Sequence, residues 1–298
     1  MAEEDIEPFE LPFGLGTVDY TKYSNRQLAA VPLAVLAVAL LILLVWGTMM
    51  TPVGWPAQPG MDFTGGTELQ IVTSDSREEI QATFFEEPQS VRSVGGQADT
   101  YVLHFQTDET TRIEDEARAA GYEVEQVREV SAVFGESIQL QAVFGVGLAF
   151  LGMSIVVFLL FRTFVPSIAV IASAFSDIMI PIAMMNLLGI EMTLGTVAAL
   201  LMIIGYSVDS DMLLNSNILR RRGGFYESAY RAMNTGITMT LTSLTAMIVM
   251  TLVAWFFQIP LLPEIGAVLV FGLAADLMNT YMLNMSLLRW YKYEGVRR

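Results

Sequence analysis

Four aspartates interrupt long apolar stretches of this chain, where charged side chains are rare: Asp177, Asp209, Asp211 and Asp276. A charge at the centre of a bilayer costs about 3 kcal/mol or more, so residues of this kind usually have a function. The same stretches contain no Lys, Arg or His at comparable depth. Each acid must therefore be protonated, bind a cation or pair with another subunit. The chemistry that this pattern predicts is reversible binding of a proton or a cation.

Asp209 is the first candidate for this role. It lies in the stretch LMIIGYSVDSDMLL (201–214), one helical turn after Gly205, whose missing side chain would let another backbone approach. Asp211 follows about 200° further around a helix, so the two carboxylates cannot share a face. We expect Asp209 to face the interior of a helix bundle and Asp211 to point elsewhere, nearer to water. In the alternative interpretation the helix ends before Asp209, although apolar residues continue to Leu219.

Asp177 and Asp276 lie near the middle of two other apolar stretches. Pro181 follows Asp177 by four residues, and because proline has no N–H, the carbonyl of residue 177 loses its helical partner. A kink and a free carbonyl beside a carboxylate would suit an ion site. The alternative is an incidental kink, with Asp177 bonded to a neighbouring helix.

A stripe of hydroxyls marks the fifth apolar stretch. Thr238, Thr242 and Thr245 are spaced at i, i+4 and i+7, which places them on one helix face. Stripes of this kind more often join helices than line a path for ions.

The elements that must position these residues are membrane helices. Hydrophobic residues make up 53% of the 298 residues and the mean hydropathy is +0.51. Apolar runs of about 20 residues predict six transmembrane helices in a polytopic α-helical membrane protein. We divide the chain into a loosely structured tail at 1–27, a first helix at 28–50, an extracytoplasmic domain at 51–137, helices 2 to 6 within 138–288 and a tail at 289–298. Basic residues flank the inner ends of these helices, which predicts that both termini are cytoplasmic.

The segment between the first two helices has a soluble pattern. Strands are predicted at 67–72, 90–95, 100–105 and 123–133, with helices at 77–85 and 110–120. The order βαββαβ predicts a small ferredoxin-like α+β domain with both helices on one face of a four-stranded sheet.

Composition excludes several classes of protein. The formal net charge of −15 argues against nucleic-acid binding. The chain has no cysteine and one histidine, His104, so disulfides, thiol catalysis and Cys-ligated or His-rich metal sites are not expected. No nucleophile–base pair or metal spacing indicates an enzyme, and no cofactor is expected. Strong acidity with only two lysines is typical of proteins adapted to high salt.

The chain resembles the SecF family in three places. These are SAFSDIMIPIAMMNLLGIEMTLGTVAALLMIIGYSVDSD at 173–211, MDFTGGTELQI at 61–71 and NTGITMTLTSLTAMIVM at 234–250. The resemblance implies half of an RND-type membrane bundle, in which SecF pairs with SecD. It also implies that the complex assists preproteins leaving the Sec translocon channel by using a proton or sodium gradient. The composition favours an archaeal member from a halophile, in contact with membrane lipids.

The resemblance also bears on individual residues. Asp177 matches the third-helix aspartate of the family, and Asp209 takes the position of the aspartate in the fourth helix of SecD. The acid of bacterial members falls on Ser210 here, and an arginine of theirs on Asn217. Asp62, Gly65 and Gly66 of the MDFTGG motif are expected to be structural, because two glycines permit a tight turn from the membrane into the first strand.

Two other functions remain open from the sequence. The first is a stand-alone RND-type exporter of small molecules or lipids, which the single small outer domain disfavours. The second is a non-transporting scaffold that stabilises SecD and the Sec channel, which the shifted acids keep open.

Overall fold

The fold is described from a computed structural model, which covers residues 8–14, 16–49, 56–93, 99–107, 109–220, 224–257, 259 and 261–295. In chain order the helices and strands are β1 Phe9–Glu10, β2 Thr17–Val18, α1 Asn25–Met49, α2 Met61–Thr64, β3 Gly66–Val72, α3 Arg77–Thr83, β4 Ser90–Ser93, β5 Thr100–Phe105, α4 Thr110–Ala119, β6 Glu123–Val130, α5 Ala132–Phe161, α6 Phe164–Leu188, α7 Leu194–Arg220, α8 Phe225–Phe256, α9 Leu262–Met278, a π-helical stretch Asn279–Asn284, α10 Met285–Trp290 and a second π-helical stretch Tyr291–Gly295.

Six segments of the described chain are long and apolar enough to cross a membrane, as predicted. They are α1, most of α5, then α6, α7, α8, and the continuous segment from α9 to the end of α10. The fourth helix does not end before Asp209 but continues to Arg220. The fifth extends from Phe225 to Phe256.

The segment between α1 and α5 has the predicted ferredoxin-like fold. Its antiparallel sheet has the strand order β4-β5-β3-β6. Ile80 of α3 and Ile113 of α4 are buried in one cluster with Leu69, Leu103 and Phe105 of the sheet. Both helices therefore cover the same sheet face, because alternate strand residues point to that side.

Three helices form the centre of the membrane part. About half or more of the apolar stretches of α6, α7 and α9 is buried, whereas α1, α5 and α8 are mostly exposed. Ile178 and Met185 of α6 pack with Leu200 and Ile203 of α7 and with Leu269 of α9. The polar residues of these three helices are therefore held away from the periphery of the bundle.

The N-terminal segment is more ordered than predicted. Residues 8–23 carry the hairpin of β1 and β2 and pack on the end of the bundle through Phe9 and Tyr20. The buried Arg289 donates to the carbonyl oxygens of Tyr20 and Tyr23, at 3.0 and 2.7 Å, and to Asn25. The loose tail expected for residues 1–27 is thus wrong for residues 8–14 and 16–23, because one buried guanidinium ties this segment to α10. Residues 1–7 and 15 lie outside the described part.

Candidate functional site

Asp177 is held between two helices. It lies in the middle of α6 with no exposed surface. Its Oδ2 accepts a hydrogen bond from the Ser207 hydroxyl of α7 at 2.6 Å, and its Oδ1 accepts one from the Asn279 amide at 2.6 Å. Pro181 is also buried within α6, so the Asp177 carbonyl has no helical N–H four residues on.

Asp276 and Asp211 face each other across α9 and α7. Asp276 Oδ1 accepts a hydrogen bond from the Ser210 hydroxyl at 2.7 Å and lies 3.1 Å from the Thr280 hydroxyl. Asp211 Oδ1 lies 2.8 Å from the same Thr280 hydroxyl and accepts a hydrogen bond from the Asn284 amide at 2.7 Å. Both carboxylates are at most 1% exposed.

Within the described residues, the hydrogen-bond partners of these three acids are neutral hydroxyls and amides. Within the described residues, none of the salt bridges involves Asp177, Asp211 or Asp276. Three carboxylates without a cation cannot all be charged in a medium of low dielectric, because each would repel the others and lose its hydration. At least one of the three acids is therefore expected to be protonated or neutralised in another way.

Several buried oxygens around the acids have no hydrogen-bond partner in the described part of the chain. They include Asp211 Oδ2, Asn279 Oδ1 and Asn284 Oδ1. A buried acceptor without a donor costs free energy. A proton or a small cation bound here would satisfy such oxygens.

The structure corrects the prediction for Asp209. Its side chain is exposed, whereas Asp211 has no exposed surface. The inward face of α7 carries Ser207, Ser210 and Asp211, and Asp209 lies on the opposite face. The expectation that Asp209 faces the interior and Asp211 points toward water is therefore wrong. The reason is that the polar partners of α7 come from α6 and α9, which contact only one side of it.

Gly205 shares the outward face with Asp209. It is exposed, and a side chain built on it would meet nothing within 4 Å. Leu201 and Met202 of the same face are also exposed. Within the described chain, no other backbone packs closely against Gly205.

Among the described residues, the threonine stripe of α8 makes no hydrogen bond to another helix. Thr238, Thr242 and Thr245 each donate to the carbonyl four residues earlier in their own helix, at 2.7 to 2.8 Å. Thr242 and Thr245 are exposed. The stripe lies on the periphery of the chain and away from the three buried acids.

The MDFTGG motif connects the ferredoxin-like domain with the membrane helices. Asp62 is 4% exposed; its Oδ1 pairs with Arg128 of β6 at 2.5 Å, and its Oδ2 accepts from the backbone N–H of Leu194, the first residue of α7, at 2.9 Å. Gly65 and Gly66 follow with φ of +72° and +123°. The motif thus turns the chain from α2 into β3 while fixing it to α7.

A cavity of about 620 Å³ lies between the open sheet face and the outer helix ends. Arg92 of β4 crosses it and contacts Glu191 at 2.7 Å and Glu264 of α9 at 3.3 Å. Glu68 of β3 also lines this cavity, and its burial raises the pKa of that carboxyl. Among the described residues, no group of three or more His, Asp or Glu side chains has an arrangement that could hold a metal.

Comparison with known proteins identifies the family. The model for "Protein export membrane protein SecD/SecF, C-terminal" matches residues 112–294, more than half of the chain. The protein-export membrane protein SecF of Haloferax volcanii is 61% identical over 288 residues, which cover 96% of this chain and 99% of that protein. The chain belongs to the SecF family of protein-export membrane proteins. The SecF proteins of Haloquadratum walsbyi and Methanolacinia petrolearia are 58% and 41% identical, over 96% and 95% of this chain and 99% of each relative.

Solved structures show the same fold at lower identity. SecDF from Thermus thermophilus, described as a translocon-associated membrane protein, has a TM-score of 0.68 at 21% identity, over 90% of this chain. SecDF in a super-membrane-facing form has a TM-score of 0.53 at 21% identity, over 96% of this chain. This SecF-family chain spans only 38% and 41% of the lengths of those two proteins.

The neutral residues of this cluster were not predicted from the sequence. Asn279, Thr280 and Asn284 were not recognised, and Ser207 and Ser210 were not assigned to a site. A spacing of polar residues that occurs in both apolar helices could have indicated most of these residues. Ser207, Ser210 and Asp211 stand at i, i+3 and i+4, and so do Asp276, Asn279 and Thr280. Polar residues with this spacing on two apolar helices indicate faces that meet inside a bundle.

Proposed function

We propose that this chain is the SecF subunit of a SecD–SecF complex in the cell membrane, which assists protein export through the Sec translocon and has no enzymatic activity of its own. Near full-length likeness to SecF relatives supports this role. The chain corresponds to less than half of the single-chain SecDF proteins, so we infer that a separate SecD-like subunit supplies the remainder. The translocating preprotein, the channel and membrane lipids are the other proposed partners.

We infer that the complex couples export to an ion gradient at the cluster of Asp177, Asp211 and Asp276. The observation that carries this proposal is three buried carboxylates on three central helices, bonded only to neutral groups. Each transfer of a proton or cation changes the charge of the cluster. Because the same side chains bond α6, α7 and α9 to one another, such a change would alter how these helices pack.

Asp209 has a different place in this proposal. On an isolated chain it would be a carboxylate exposed toward lipid, about 22 Å along α7 from its first residue at 1.5 Å per residue. Such a position is costly unless another subunit covers it. We therefore assign the face of Leu201, Met202, Gly205 and Asp209 to the contact with SecD, where Asp209 can take part in coupling with residues of that subunit.

The coupling role is tested by exchanging each acid for its amide. Asp177→Asn, Asp211→Asn and Asp276→Asn should abolish gradient-dependent export while leaving membrane insertion and association with the SecD-like subunit intact. Asp115→Asn, on an exposed position of α4, is the matched control. Full export by all three buried variants, across pH and without sodium, would leave the scaffold function as the better explanation.

The partner assignment is tested by gentle purification and by crosslinking. The chain has no native cysteine. Met202→Cys should therefore crosslink to a copurifying SecD-like subunit, and Leu148→Cys, which is equally apolar and exposed on α5, should not. A chain that purifies without any SecD-like subunit would favour the stand-alone exporter.

A further inference from the structure

The Thr280 side chain reaches two of the buried acids, Asp211 and Asp276. Its hydroxyl oxygen lies 2.8 Å from Asp211 Oδ1 and 3.1 Å from Asp276 Oδ1. Thr280 has no exposed surface, and Asp211 and Asp276 are 0% and 1% exposed. The hydroxyl therefore bridges two carboxylates on different helices at a place that bulk water does not reach.

The single hydrogen of the Thr280 hydroxyl limits which protonation states of Asp211 and Asp276 make both contacts favourable. A threonine hydroxyl has one hydrogen to donate and two lone pairs to accept with. It can therefore donate to Asp211 or to Asp276, but not to both. The second contact is favourable only when the other acid is protonated and donates to the threonine oxygen. One proton shared by the pair satisfies both contacts, and it can do so in two equivalent directions.

The charges of the neighbourhood favour that single proton. Asn284 donates to Asp211 Oδ1. The Ser210 hydroxyl lies 2.7 Å from Asp276 Oδ1, 3.0 Å from the Ser207 carbonyl and 3.2 Å from the Thr280 hydroxyl, and its shortest contact is the one to Asp276. Each acid therefore has a neutral donor within reach besides Thr280. Two full negative charges on either side of one hydroxyl would repel strongly at low dielectric. Two protons would leave these donors facing neutral acids and would remove the charge-assisted part of their hydrogen bonds.

The backbone around Thr280 keeps the side chains of Thr280 and Asn284 on the same side of the helix, facing Asp211. An α-helix rotates by about 40° with each step from i to i+4, so a row at this spacing drifts around the helix. The segment Asn279–Asn284 is π-helical, and its i to i+5 bonding gives wider turns that offset the drift. Thr280 and Asn284 consequently both reach Asp211 Oδ1. Stretches of π-helix inside longer helices often occur at functional sites.

We propose that the Thr280 hydroxyl is a proton relay between Asp276 and Asp211. The proton on Asp276 Oδ1 passes to Thr280 Oγ1 while the hydroxyl proton of Thr280 passes to Asp211 Oδ1. One O–H bond breaks and one forms at the threonine, which ends neutral with its hydroxyl reversed, and the negative charge moves from Asp211 to Asp276. This relay rests on the proposed coupling function and names the path of the proton within it.

The test is proton flux through the SecD–SecF complex in vesicles with an imposed pH gradient. Thr280→Val keeps the shape of the side chain but removes the hydroxyl, and should lower proton flux by about a hundredfold or more, in the range of a lost general acid–base group. Thr280→Ser restores the hydroxyl and should retain most of the flux. Thr251→Val is the matched control, because the Thr251 hydroxyl bonds only to the Met247 carbonyl of its own helix.

The outcomes separate the relay from the coupling function. Wild-type flux in Thr280→Val, together with loss of flux in Asp211→Asn and Asp276→Asn, would overturn the relay and leave coupling in place. Transport of sodium but not of protons by the wild-type complex would likewise overturn the relay and leave the coupling function in place. Wild-type flux and export in all of these variants would overturn the coupling function itself.

Infrared spectroscopy tests the shared proton even if Thr280→Val does not assemble. The carbonyl band of a protonated buried carboxyl in the otherwise intact complex should change in both Asp211→Asn and Asp276→Asn. A band that disappears in one variant and is unchanged in the other would assign the proton to a single acid, and the relay would be wrong.

Discussion

Asp62 stabilises the junction between the outer domain and the membrane helices. Its two carboxylate oxygens accept from Arg128 and from the N–H of Leu194, and the side chain is 4% exposed. Asp62→Ala leaves both donors without their acceptor, and should lower the free energy of unfolding by about 2 kcal/mol. Thermal unfolding of the purified protein and protease cleavage at the junction would measure the change.

A matched control is available for this prediction. Glu123→Ala removes an exposed acid from β6, the strand that carries Arg128, and should change stability by no more than about 0.5 kcal/mol. Equal stability of Asp62→Ala and Glu123→Ala would show that the Asp62 contacts do not hold the junction.

Glu68 makes the stability of the outer domain depend on pH. Burial raises the pKa of this carboxyl, and the nearby Arg128 and Arg92 only partly oppose that effect. The folded state therefore binds the proton more tightly than the unfolded state, so Glu68 contributes more favourably as pH falls through its folded pKa. Glu68→Gln should stabilise the domain at neutral pH, and the difference should shrink toward pH ~4.5, the ordinary pKa of Glu.

Hydrogen exchange of the β3 and β5 amides would measure this effect in the intact protein, with variant and wild type compared at the same pH. A Glu68→Gln variant that is less protected at neutral pH would mean that the attraction to the arginines outweighs the cost of burial.

At the scale of elements, the start of β3 depends on a glycine. Gly66 has φ of +123°, and a Cβ at that position would lie 2.1 Å from the carbonyl oxygen of Phe105 in the neighbouring strand. Gly66→Ala must therefore displace β3 from β5, and should cost about 3 kcal/mol or more. Reduced protection of both strands in hydrogen exchange would report the displacement.

Gly121 provides the comparison for the same substitution. It also has a positive φ, +85°, but a Cβ there would meet nothing within 4 Å. Gly121→Ala should cost only the conformational penalty, about 1 kcal/mol. If both variants lose the same stability, the close contact of Gly66 with Phe105 is not what fixes the strand.

At the scale of the molecule, the outer domain should require salt. Residues 51–137 contain 17 Asp and Glu against five Arg. Exposed charges interact over about 10 Å at 0.1 M salt and over longer distances in dilute buffer, so repulsion among these acids grows as salt is removed. Hydrogen-exchange protection of the domain should fall from molar salt to dilute buffer, while that of α6 and α9 should change little.

A variant with fewer exposed acids tests the cause. Glu87→Gln, Asp115→Asn and Glu123→Gln remove three exposed charges and should make the protection less dependent on salt. The same salt dependence in the triple variant would point to a cause other than charge repulsion.

The orientation of the whole molecule also gives a direct prediction. Six spanning helices place both ends of the chain on one side, and the basic residues of the inner segments predict that this side is the cytoplasm. A thiol reagent that cannot cross the membrane, added to intact cells, should label a cysteine introduced at Ala119 but not one introduced at Lys22. Labelling of both from outside would contradict this topology.

Features that depend on local pattern could be predicted from the sequence. Runs of apolar residues predicted six spanning helices, and the alternation of strand and helix signals predicted the ferredoxin-like domain. Acids in apolar stretches indicated the polar positions of each helix separately. These features follow from the period and composition of short segments, which do not depend on what the segments contact.

Which acid of α7 faces inward could not be predicted in the same way, because it depends on how the helices pack. In a soluble helix the apolar face indicates the core, but both lipid and bundle interior are apolar, so the residues around Asp209 and Asp211 do not fix the rotation of the helix. The rotation is fixed by hydrogen bonds of Ser207, Ser210 and Asp211. Their partners are side chains of α6, of α9 and of the π-helical stretch that follows α9. Asp177 and Asp276 lie far from α7 in sequence, and their approach arises only when the three helices pack.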